Sequence, residues 1–103
     1  MRIISGKFKG KNINFLKNKV TRPLKDSVKE NIFNILLHSN LINVDIKNSN
    51  ILDLYSGVGS FGLECISRGA KKVTFVEDSK ISAKILDENL RKLSMKSNYE
   101  VYN

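Results

Sequence analysis

The sequence predicts an α/β domain built on a parallel sheet with crossover helices. Three observations carry this prediction. From Ile51 onward, short apolar or β-branched runs alternate with segments of helical periodicity. The stretch Gly57-Val58-Gly59-Ser60-Phe61-Gly62 joins the first such run to the first such helix. A polar linker at 43–50, NVDIKNSN, separates this alternating part from what precedes it. Strand–helix–strand order places successive strands side by side in parallel, because the helix carries the chain back along the sheet.

Each element has its own local reason. Residues 1–15 read as a β-hairpin or pair of short strands, with Ile3 and Ile4 facing Ile13 and Phe15 in sequence and Gly6 and Gly10 bracketing the turn. Residues 16–24 form a basic connector ending in Thr21-Arg22-Pro23, where Pro23 pushes Arg22 toward extended backbone. A helix then follows. Ser27 and Glu30 fit a capping box, and Val28, Ile32, Ile35 and Leu36 give one apolar stripe through about Leu37. Ile51–Tyr55 reads as a buried strand with one acid, Asp53, inside it. Residues 56–60 can only be a loop, and 61–68 a helix closed by Gly69. Lys72–Glu77 is a second strand, 79–93 a helix with Ile81, Ile85, Leu86 and Leu93 on one stripe, and Tyr99–Tyr102 the start of a third strand. This organisation divides the chain into a basic hairpin extension and connector (1–24), a helix with its linker (25–50) and a partial α/β domain (51–103).

Length and composition limit the function classes. With 103 residues the chain holds one small core. A single cysteine, Cys65, excludes an internal disulfide, and one Cys with one His argues against a structural zinc site. No apolar run approaches membrane-spanning length, and the first residues lack a signal-peptide pattern, so a reducing, cytoplasmic setting is expected. Cys65, Phe61 and Phe75 are expected in the core, His38 at a helix C-terminus, and Tyr99 and Tyr102 in strand packing.

The charge is unevenly placed. Residues 1–31 hold nine Lys and Arg against two acids, Asp26 and Glu30, whereas residues 32–103 hold the other nine against eight acids. Fourteen Lys against four Arg, with twelve Asn and eleven Ile, match AT-rich codon usage, but that bias does not explain the concentration in the first 31 residues. A basic segment beside a near-neutral body is the footprint of a polyanion binder, a solvated basic face being the alternative.

The glycine run is literally G-x-G-x-x-G, follows a predicted strand, opens a predicted helix, and has Glu77 twenty residues beyond Gly57. Glycines there allow close backbone approach, the helix N-terminus offers unpaired N–H groups, and an acid at the tip of the second strand can accept from ribose hydroxyls. Asp53 decides between ligands. An anion four residues before Gly57 repels a pyrophosphate and favours a ligand with an ammonium and a positive sulfur, as in S-adenosylmethionine. The structural alternatives are a plain tight turn for the glycines and a loop-bracing role for Asp53.

These residues carry a resemblance. ILDLYSGVGSFGLECISRGAKKVTFVE at 51–77 is similar to the cofactor-binding core of class I S-adenosylmethionine-dependent methyltransferases. MRIISGKFKGKNI at the start and TRPLKDSVKENIFNIL at 21–36 narrow the likeness to the bacterial 16S rRNA guanine-N2 methyltransferase family. The resemblance implies a Rossmann-like sheet with an N-terminal hairpin extension, S-adenosylmethionine as methyl donor, and small-subunit ribosomal RNA or an immature 30S subunit as partner, with no metal and no membrane. It implies cofactor binding by Asp53, Ser56, Gly57, Gly59, Glu77 and Asp78, and RNA contact by Arg2, Lys7, Lys9, Lys11 and Arg22. The family's Asn/Asp-Pro-Pro-Tyr/Phe catalytic stretch finds no match, since Pro23 is the single proline. The expectation is therefore a family portion truncated after the second or third strand, with no catalytic residue of its own, marginally stable and inactive in isolation unless a second polypeptide completes the fold. The other readings are a non-catalytic RNA-binding module and an NAD-binding Rossmann fragment.

Overall fold

A computed structural model describes residues 1–15, 26–39, 45–93 and 98–103. Among the described residues three helices, α1 (Asp26–His38), α2 (Ser60–Ser67) and α3 (Lys80–Lys92), accompany three strands, β1 (Asn50–Leu54), β2 (Lys72–Val76) and β3 (Asn98–Tyr102). The strands form one sheet in the order β1-β2-β3, all parallel, with Asp53 opposite Phe75 and Phe75 opposite Val101. The predicted alternation is thus present, including the third strand.

Period-2 patterning decides the two sheet faces. Ile51, Asp53, Val73, Phe75 and Val101 share the face on which α2 packs, and Val73 and Phe75 are fully buried there. Leu63, Ile66, Leu86 and Leu90 complete this core. Helix α2 ends as predicted: Gly69 and Ala70 donate back to the carbonyls of Ile66 and Cys65, a Schellman closure. Helix α3 starts at Ser79, whose side chain accepts from the Ser82 N–H at 3.3 Å.

The first fifteen residues are a loop pinched into a hairpin rather than two regular strands. One antiparallel bridge joins Arg2 to Asn12, with Ile3 N–H to the Lys11 carbonyl and Ile13 N–H to the Met1 carbonyl. Ile3 and Ile13 point into the same core as the sheet.

The helix stripes differ from those predicted. Helix α1 begins at Asp26, so Ser27 lies within its first turn and is not a cap. Its buried residues are Lys29 and Phe33, while Val28 and Ile35 are exposed. In α3 Ile81 is exposed, and Ser82 and Asn89 are buried with Leu86 and Leu90. Other residues of the predicted stripes do face the core: Leu86 and Leu93 are buried and Leu36 and Ile85 pack against it, while polar side chains with tertiary partners take the remaining inward positions. Cys65 and Phe75 are buried as expected, and Phe61 stacks on Phe33 with ring centroids 5.0 Å apart. His38 ends α1, Tyr99 packs against the core, and Tyr102 is exposed.

Candidate functional site

The site forms where β1 hands over to α2. Between them, Tyr55 takes a left-handed backbone (φ 55°) that is costly for a bulky side chain, and its ring is 84% exposed. Sequence reading did not single out Tyr55. Nothing in composition or spacing marks a strained aromatic.

The three glycines of the loop have different physical reasons. A side chain on Gly57 would meet nothing within 4 Å, so the space beside it is open. A Cβ on Gly59 (φ 95°) would come within 2.3 Å of Leu86, and one on Gly62 within 2.2 Å of Phe75. Gly59 therefore lets the loop pack against α3, and Gly62 brings α2 against the sheet. Gly57 leaves its backbone accessible to a ligand.

Asp53 lies beneath this loop, half-buried, with Oδ2 accepting from the Gly62 N–H at 3.1 Å. Burial pushes its carboxyl up to about 6. The Gly62 hydrogen bond opposes the shift, and the charge of Glu77 adds to it. A half-desolvated carboxylate attracts cations. It is also a brace, so the loop-bracing alternative is satisfied by the same contact.

Glu77, at the tip of β2, is nearly fully buried. Its Oε1 accepts from the Gly57 N–H at 2.8 Å and its Oε2 from the Ser79 N–H at 2.9 Å. It ties the turn after β1 to the turn before α3, and each oxygen retains further acceptor capacity. Asp78 beside it is exposed. The Ser56 hydroxyl is buried, with no hydrogen-bond partner among the described residues. An orphaned polar atom beside open space at Gly57 fits a site that expects a polar ligand. Burial also raises the Cys65 thiol to about 12, so this cysteine is an inert core residue.

The basic residues Arg2, Lys7, Lys9 and Lys11 are all exposed on the hairpin. Arg2 lies 3.4 Å from Asp26, and the Lys7 ammonium sits over the Phe8 ring. Arg22, with Thr21 and Pro23, falls outside the described residues. A cavity of about 290 Å³ opens between hairpin and α1, lined by Arg2, Lys9, Asp26 and Glu30 among others, so its charge is mixed.

Two buried polar residues that sequence reading missed sit behind the loop. Lys29 Nζ donates to the Arg2 carbonyl at 2.7 Å and to Ser60 Oγ at 3.3 Å, and pairs with Glu64 at 3.3 Å. Asn89 donates to the carbonyls of Asn14 and Val58 at 3.0 and 2.9 Å and accepts from the Asn14 N–H at 2.8 Å. Among the described residues no cluster of three or more His, Cys, Asp or Glu could hold a metal, and no helix is long and apolar enough to cross a membrane.

A family model described as "Conserved hypothetical protein 95" matches residues 1–103. "Ribosomal RNA small subunit methyltransferase D" of Haemophilus influenzae is 41% identical over 97 residues, covering 94% of this chain and 47% of that protein. The protein of the same name from Buchnera aphidicola subsp. Baizongia pistaciae is 37% identical over 95 residues, covering 92% and 46%. A solved Escherichia coli structure, provisionally named a methyltransferase, superposes with a TM-score of 0.81 at 30% identity, covering 100% of this chain and 51% of that one. The chain therefore spans about half the length of the relatives it matches, in agreement with the expectation of a family portion. The Rossmann-like arrangement is shared with them.

Proposed function

This chain belongs to the family described as "Conserved hypothetical protein 95", and on that premise we propose that it forms the methyl-donor-binding part of a methyltransferase acting on small-subunit ribosomal RNA. The relatives named as rRNA methyltransferases support the reaction class. One observation supports the ligand, the Asp53 carboxylate held under the glycine loop by Gly62 beside the open flank of Gly57.

S-adenosylmethionine supplies an electrophilic methyl group on a sulfonium centre, and the residues present suit it. Asp53 would take the ammonium of the methionine end, a cation whose presence would also favour the ionised carboxylate. The backbone at Gly57 and the free hydroxyl of Ser56 would meet polar atoms of the ligand, with Gly59 setting the turn. Glu77 and Asp78 would accept from the ribose hydroxyls. The exposed Arg2, Lys7, Lys9 and Lys11, with Arg22, would engage RNA phosphates, a contact that weakens steeply with salt. The 2-amino group of a guanine as methyl acceptor, and a cytoplasmic setting, belong to this same reading.

Calorimetric titration with S-adenosylmethionine and with NAD tests it. Binding of the former and not the latter is expected, with loss of binding in Asp53→Ala. An NAD-binding chain, or an Asp53→Ala variant of unchanged affinity, would defeat the proposal. The pH dependence gives a second check. Because the carboxyl titrates near 6, affinity should hold above that value and fall by about tenfold per pH unit below it, as protonation removes the anion.

A further inference from the structure

The hairpin carrying the basic residues and the glycine loop are far apart in sequence, yet two buried side chains hold both at once. Lys29 grips the Arg2 carbonyl on the hairpin and Ser60 Oγ at the first turn of α2. Asn89 grips both backbone groups of Asn14, at the other end of the hairpin, and the Val58 carbonyl inside the loop. Both residues are 0% exposed. All the hydrogen-bonding capacity of the Asn89 amide that these bonds use is directed at those two segments. The seat is reinforced by Glu64, also fully buried, which accepts the Ile4 and Ser5 N–H groups at 2.8 and 3.0 Å while pairing with Lys29 and Arg68. Ser67 on the next turn bonds the Ser5 carbonyl and the Phe8 N–H.

A buried ion or amide cannot release one partner freely, since an unpaired polar group in the interior is costly. Motion of Val58 or Ser60 is therefore felt at Asn14 and Arg2. We propose that Lys29 and Asn89 are positioning residues that couple the two sites, so that an occupant of the glycine loop and a polyanion on the hairpin strengthen each other's binding. The sign follows from ordering. A ligand that fixes the loop also fixes the carbonyl and hydroxyl that these side chains hold, so the hairpin loses less freedom when it binds in turn. Coupling between binding sites is reciprocal, and factors from about fivefold upward are usual. The inference rests on the functional reading above for the identity of the two ligands.

The test measures the ratio of affinities rather than either affinity alone. S-adenosylmethionine is titrated calorimetrically with and without a saturating mixed-sequence RNA hairpin, and the RNA is titrated with and without S-adenosylmethionine. Each should tighten the other by about fivefold or more, by the same factor in both directions. In Asn89→Leu and Lys29→Met the factor should fall toward one. Ser60→Ala removes a single bond of Lys29, leaves its pair with Glu64, and should lower the factor partially without unfolding the chain. Hydrogen exchange supplies a second readout: RNA should slow exchange at the amides of 57–60 in the wild-type chain and not in Asn89→Leu. A residue that only stabilised the fold would weaken both ligands and leave the ratio alone. Both ligands binding with a ratio of one overturns the coupling and leaves the functional reading standing. Failure of either ligand to bind overturns the functional reading and the coupling with it.

Discussion

The two faces of the sheet are made of similar residues and have opposite fates. On one face Val73 and Phe75 are fully buried under α2, and Gly62 brings the helix close enough that a methyl group would collide with the Phe75 ring. On the other, Leu52 and Leu54 of β1 are 60% and 57% exposed, in register with Thr74, Val76 and Tyr102. Strand β1 pairs with β2 alone among the described strands, which leaves its other backbone edge without a strand partner among the described residues. Near-continuous apolar strands are the composition of a parallel sheet covered on both sides. Helix α2 packs on the first of these faces, which is also the side on which the candidate site is built. Burial there is what raises the Asp53 carboxyl and locks the glycine loop. Stability and ligand chemistry thus come from the same layer.

Substitutions can break this asymmetry, and the largest effect lies on the covered face. Phe75→Ala leaves a cavity under α2 and should remove about 3–5 kcal/mol, enough to unfold a marginal domain, as read by urea denaturation followed by circular dichroism. Asp53→Asn comes next and has the opposite sign. Burial raises the native carboxyl to about 6 from the 3.8 of a free aspartate, so the folded state holds its proton more tightly than the unfolded state. Wild-type stability should therefore decline as pH rises from about 4 to about 6. The amide variant avoids this and should be more stable by roughly 3 kcal/mol at pH 7. Denaturant midpoints should separate at pH 7.5 and converge at pH 3.5. Equal separation at both would show that the charge is not responsible. A residue that weakens the fold is kept where function needs it, which makes Asp53 a candidate for the stability–function conflict.

The open face should respond least. Leu52→Thr places a β-branched residue, suited to a strand, at this position and removes exposed apolar surface, so stability should move by less than about 0.5 kcal/mol. Solubility should improve, because an apolar edge strand is an aggregation site. A loss of several kcal/mol at Leu52 would mean that this face is covered in solution. Gly6→Ala sharpens the comparison from the hairpin side. Its Cβ would lie 1.9 Å from the Ser67 carbonyl oxygen, and Gly6 has φ 90°. The hairpin should lift from α2, seen as faster hydrogen exchange at Ile4, Ser5 and Phe8, while the sheet amides stay protected.

The alternation of elements, the position of the glycine loop, and the placement of Asp53 inside the first strand and Glu77 at the tip of the second are legible in the sequence. These depend on spacing between neighbours, namely apolar runs, glycines at a turn, and acids at fixed distances from it. Which helix faces turn inward, and what the polar residues hold, is set by tertiary packing. Neither Lys29 nor Asn89 carries a signal for burial in its sequence neighbourhood. They are buried because their partners, Glu64 and Ser60 for one and Asn14 and Val58 for the other, lie 31 to 75 residues away or across a helix interface. Local periodicity carries no information about such partners. A buried charge or amide is tolerated only where folding supplies them.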